Sequence, residues 1–141
     1  MKIFLLITLM LGFTISLFST IKGEEIYEPQ YYLINKSNNI EIRKYENILI
    51  ASTSKKSPYN IATSSGFRTL ANYIFGSNVQ QIRMPMTAPV FTTMPGNEGI
   101  DISFVMPSQY KKNDLPEPNS NDIEIKNLKL GTTAVIKFGM W

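Results

Sequence analysis

Phe67, Leu70, Ala71 and Ile74 fall at i, i+3, i+4 and i+7, a single apolar stripe at helical spacing. Most of the remaining chain reads as strand, turn and loop, so this helix has one face to bury and must lie on a sheet. Ser57 and Pro58 mark its start, because a hydroxyl can cap a free N–H and proline is tolerated at the first helical position. The opening turns are weak helix formers (Thr63, Ser64, Ser65, Gly66), and Gly76 is placed to end the helix in a left-handed conformation.

Around the helix the alternation is that of strands. "YYLIN", "KSNN" and "IEIRKY" read as strand, turn and strand, with Ile40 and Ile42 on one face and the charges of Glu41 and Arg43 on the other. "ENILIASTS" is a further β-branched run. Gln81 to Thr93 returns to strand spacing, with Met84, Met86, Ala88 and Val90 on one face and Arg83, Pro85, Thr87 and Pro89 on the other. Proline cannot donate a ladder hydrogen bond, so this strand is an edge, a bulge or both. "MPGNEG" is a turn, "IDISFVM" its partner strand and "PSQYKKNDLPEPNSND" a long loop; "IEIKNL" and "TTAVIKF" close the chain. The expected order is β-β-α-β-β-loop-β-β, an α+β fold with mostly antiparallel neighbours.

The first 23 residues stand apart. Lys2 supplies a positive start, Ile3–Phe18 carries no charge, and Gly23 and Ile21 suit the positions before a cut. The apolar run is short of the roughly 20 residues of a bilayer span, so residues 1–23 read as a cleaved signal peptide and 24–141 as the mature domain. The protein is expected to be exported (periplasmic, secreted or lumenal), with no stable membrane span afterwards. Without Lys2 and Lys22 the net charge falls from +3 to +1, and no basic run exceeds the pairs Arg43-Lys44, Lys55-Lys56 and Lys111-Lys112. A nucleic-acid partner is therefore not expected. Asn35-Lys36-Ser37 fits a glycosylation acceptor, a triplet that also arises by chance.

Cysteine and histidine are both absent. A chain without disulfides relies on its core alone. The missing histidine rules out Ser-His and Cys-His nucleophilic pairs and removes the commonest ligand of zinc and iron. The carboxylates Glu41, Asp101 and Glu124 each alternate with apolar strand residues and read as solvent-facing, so no catalytic residue is assigned and the protein is not expected to be an enzyme.

Five blocks taken together, "IEIRKYENILIASTS", "GFRTLANYIFGSN", "IRMPMTAPVFT", "ISFVMPSQY" and "LPEPNSNDIEIKNL", resemble the SOUL heme-binding protein family in order and spacing. The resemblance implies an antiparallel sheet or distorted barrel of SOUL type with one amphipathic helix packed on it. "AVIKFGMW" looks like the strand that leads into a second, similar half, which implies that the second repeat is truncated here. It further implies binding of heme or another tetrapyrrole, as a carrier or buffer. A flat macrocycle needs an apolar cleft and a cation for its propionates. Phe67, Leu70 and Ile74 of the helix with Met84 and Met86 are the candidate cleft, and Arg68, Arg83 and Lys137 the candidate propionate partners. Methionine suits such a surface because it is soft and adaptable. Iron ligation would have to come from Met, Tyr or Lys. The same residues also read as ordinary core between helix and sheet. The alternative is accordingly a non-catalytic interaction or structural module that keeps the fold without the ligand, with self-association through the open "TTAVIKF" strand.

Overall fold

The computed structural model describes residues 26–93 and 99–136. The leader 1–23, most of the "MPGNEG" turn and Lys137 lie outside them. Three strands precede the helix rather than two: β1 (Tyr31–Ser37), β2 (Ile40–Tyr45) and β3 (Asn47–Lys55). Helix α1 (Tyr59–Ile74) follows, then β4 (Val90–Thr92), β5 (Ile100–Val105), β6 (Glu124–Lys129) and β7 (Thr132–Ile136). Among the described residues these form two open antiparallel sheets, ordered β1-β2-β7 and β4-β5-β3-β6. The α+β architecture is as expected, with the sheets open and not closed into a barrel.

One ribbon runs through both sheets. β2 pairs with β7 and β3 with β6, and the register that sets Ile40 opposite Ile136 continues without slip to Ser52 opposite Glu124. The ribbon bends at Glu46 on one strand and Leu130–Gly131 on the other. The Tyr45 N–H still donates to the Gly131 carbonyl at 2.9 Å across the bend, and Gly131 takes φ +59° there. Tyr45 packs with Ile48, Ile50 and Val105, while Leu49 and Ala51 pack towards α1. The bend therefore shifts the in–out alternation by one residue.

Helix α1 lays Ala62, Gly66, Leu70, Tyr73 and Ile74 on the β3–β5 sheet, where Ala51, Ile102 and Phe104 receive them. Each fully buried aliphatic side chain of this kind contributes about 1.5–3 kcal/mol. Gly66 is required by close approach, since a Cβ there would lie 2.5 Å from Ile102 Cδ1. The Tyr73 hydroxyl donates to the Pro116 carbonyl at 2.7 Å, tying the helix to the long loop, and burial pushes its pKa up to about 12. The helix begins at Tyr59 with Pro58 as the capping residue and no side-chain cap, so the Ser57 hydroxyl is not used. Gly76 does end it with φ +108°.

Two expectations are corrected. Only Val90–Thr92 of the Gln81–Thr93 stretch is a strand, at the sheet edge. The rest is irregular, with a cis Ala88–Pro89 bond and a buried Thr87 whose hydroxyl donates to the Val105 carbonyl. Second, the charged face of β2 is the buried one. Glu41 and Arg43 are 7% and 6% exposed, whereas Ile40 is 41% exposed. The Arg43 Nη2 and Nε donate to Glu41 Oε2 at 2.6 and 2.9 Å, Lys36 reaches Glu41 Oε1 at 3.1 Å, and the guanidinium lies 3.9 Å over the Tyr31 ring. Alternation alone could not reveal this, because which face is covered depends on the partner strand that supplies Tyr31 and Lys36.

Gly66→Ala should lower stability by about 1–3 kcal/mol through overpacking against Ile102, read as a fall in the urea midpoint at unchanged slope. The Thr53 hydroxyl is buried with no hydrogen-bond partner, so Thr53→Val should raise stability by about 1 kcal/mol; a loss would mean that the hydroxyl is satisfied. Hydrogen bonds from Arg43 first, then Lys36, hold the Glu41 carboxyl below its usual range. That stabilisation is present above the unfolded carboxylate value of about 4.3 and is lost as pH falls through the lower folded value. Arg43→Met should therefore be destabilised at pH 7 and should lose part of the parent's stability decline below about pH 4. Parallel pH curves for the two proteins would contradict this.

Candidate ligand-binding site

Phe67, Ala71 and Phe75 recur every four residues and so share one stripe of α1, at the margin between its buried and outer faces. The Phe67 ring is 42% exposed and rests edge-on against buried Phe104, with centroids 5.1 Å apart at 66°. Phe75, just past the helix end, is 50% exposed. Between them Ala71 contributes only a methyl group. At 1.5 Å rise per residue, the two rings bracket a shallow apolar trough about 12 Å long.

The chain that follows the helix supplies the other bank. Gly76 turns it back, and Asn78, only 1% exposed, pins the return by donating to the Tyr73 and Ile82 carbonyls at 2.9 and 2.7 Å and accepting from the Ile82 N–H at 3.0 Å. The Met84 N–H then donates to the Ile74 carbonyl at 2.7 Å. Met86 packs, partly buried, on the core that holds Leu70, Ile74 and Phe104, and Val90 stands opposite Phe104 across β4 and β5.

The seven residues expected at the site divide by depth. Leu70, Ile74 and Met84 are 0%, 2% and 3% exposed and form the core beneath the trough, so the helix–sheet interface itself is filled and offers no slot. Phe67 and Met86 remain at its surface. Arg68 is exposed on the outer side of the helix, and Arg83 lies at the far end, its guanidinium 5.9 Å over the Phe75 ring. Neither arginine is in an ion pair among the described residues. Lys137 lies outside those residues. Phe75, Ala71 and Asn78 were missed from sequence. The i, i+4, i+8 spacing of the first two carried the signal, while the role of Asn78 depends on a loop conformation that no periodicity encodes.

A larger concavity lies elsewhere, at the bend of the ribbon. It is a half-open cleft of about 700 Å³ between residues 27–32, the Glu46–Leu49 corner and residues 105–110, and none of the seven residues lines it.

Residues 26–141 match the family described as SOUL heme-binding protein. The chain is 33% identical over 105 residues to heme-binding protein 2 of Homo sapiens, covering 70% of this chain and 51% of that protein. It is 31% identical over 124 residues to heme-binding protein 2 of Mus musculus, covering 83% and 57%, and 31% identical over 106 residues to heme-binding protein 1 of Xenopus laevis, covering 70% and 55%. The chain thus spans about half the length of the relatives it matches. A match that takes in both sheets, the helix and the trough establishes that this chain belongs to the SOUL heme-binding protein family.

Proposed function

We propose that this protein binds heme or a related tetrapyrrole on the Phe67–Ala71–Phe75 shelf, as an exported, non-catalytic carrier or buffer. The observation that carries the reading is the pairing of an apolar trough with two free guanidiniums, Arg68 and Arg83. A porphyrin edge would lie over Ala71 between the two rings, with its propionates towards the arginines, where charge-assisted hydrogen bonds are strongest. Leu70, Ile74 and Met84 support the shelf from below, and Val90 and Met86 bound it. Met86 carries the thioether that suits iron on this surface, a softer and weaker partner than imidazole. The reading is therefore of a ligand held chiefly by contact and charge, a form suited to release. The relatives, heme-binding proteins by name, support the ligand class, and the Lys2–Gly23 pattern supports export.

A second reading, an interaction module of the same fold, is favoured by the outer edge of β7, which pairs with no further strand among the described residues, and by the exposure of Ile40 and Ile136 beside it. It requires self-association that grows with concentration in light scattering.

Purified protein should shift and sharpen the Soret band of added hemin at near-equimolar ratio. Arg68→Glu with Arg83→Glu, both on the surface, should leave the far-ultraviolet spectrum intact and weaken hemin binding by about tenfold or more. A Soret band unchanged up to large hemin excess would remove the carrier reading.

A further inference from the structure

The cleft at the ribbon bend has chemistry opposite to that of the trough. Its lining is aromatic and polar in near-equal share, with Tyr27, Tyr32 and Tyr110 beside Gln30, Asn47 and Ser108 over buried Ile48, Val105 and Met106. Among the described residues Glu28 and Glu46 are the only charged ones that line it, both are exposed, and neither is in an ion pair there. Lys44 and Lys129 stand across the ladders from Tyr32 and Asn47, and Lys111 follows Tyr110, all three outside the lining itself. Arg43 backs the cleft through the Tyr31 ring at 3.9 Å, but its guanidinium is spent on Glu41 at 2.6 Å.

The walls are also held in place without a ligand. The Met106 N–H donates to the Leu49 carbonyl at 2.8 Å, and the Ala88 N–H donates to the Tyr27 carbonyl at 2.8 Å. Tyr31 is gripped between Arg43 and Tyr45, whose ring lies 5.5 Å away. Tyrosine faces attract cations, and unpaired carboxylates at the rim attract them further while repelling anions. A dianionic tetrapyrrole suits this cleft poorly. Its volume falls in the range of small-molecule pockets.

We propose that the cleft is a second binding site, selective for a small organic cation with an apolar body, its charged head at the Glu28 and Glu46 rim and its body against the tyrosines. The site is independent of the proposed heme shelf, because the two share no residue and favour opposite charge.

The test is a nuclear magnetic resonance titration of the purified protein with benzyltrimethylammonium as the probe and 3-phenylpropionate as its anionic counterpart. The cation should perturb Tyr27, Met106 and Tyr110 while leaving Phe67 and Ala71 unmoved, and should bind about tenfold or more tightly than the anion. Glu28→Gln with Glu46→Gln, both at exposed positions, should remove that preference without altering hemin binding. No perturbation in the cleft, equal affinity for the two probes, or a preference that survives in the double variant would each overturn the proposal. Competition between hemin and the cation would also overturn it, by merging the two sites.

Discussion

A single bent ribbon organises this protein. β2 and β3 are one strand and β6 and β7 another, held in unbroken register through a corner at Glu46 and Gly131. Because a β-strand sends successive side chains to opposite faces, a corner that shifts the alternation by one residue decides what every position beyond it faces. Before the corner, Glu41, Arg43 and Tyr45 share a face. After it, that face continues through Ile48 and Ile50, and Leu49 and Ala51 turn to meet the helix. The seat of α1 and the hollow of the cleft follow from the same bend.

The buried Glu41–Arg43 pair is where this arrangement carries electrostatic cost. Withdrawing two charges from water is offset only by close geometry and further hydrogen bonds, and both are present: two contacts from Arg43, a third from Lys36 and one from Arg43 to the Tyr45 hydroxyl at 3.1 Å. The pair also occupies the guanidinium that backs the cleft through Tyr31, whose rim carries Glu28 and Glu46. On helix α1 and the chain after it, Arg68 and Arg83 are in no ion pair among the described residues, and Arg83 lies over the exposed Phe75 ring. Two surfaces with different charged neighbours thus lie on one small fold, arginines at the Phe67–Phe75 stripe and glutamates at the cleft rim, in a chain that has no histidine.

The helix was readable because its signal is local. The i, i+3, i+4, i+7 stripe of Phe67, Leu70, Ala71 and Ile74 and the stop at Gly76 depend on neighbours within two turns. The prolines of "RMPMTAP" marked an irregular edge, and only Val90–Thr92 beyond them pairs. Depth within the stripe was not readable. Phe67 and Leu70 belong to the same stripe, yet Leu70 is sealed against the sheet and Phe67 stands 42% exposed, because its ring meets only the edge of the core at Phe104. Of the expected cleft residues, Leu70, Ile74 and Met84 are core, and Phe67 and Met86 reach the surface.

Local spacing and composition were thus enough to establish one amphipathic helix on antiparallel strands, no disulfide and no imidazole chemistry, since each depends on residue type and near neighbours, while the SOUL family came from the resemblance of whole motif blocks. The buried face of β2, the depths of Met84 and Met86 and the existence of the cleft were decided only by tertiary structure. They arise where strands far apart in sequence meet, and the pairing partner and the bend, both long-range, determine which side of a strand water can reach.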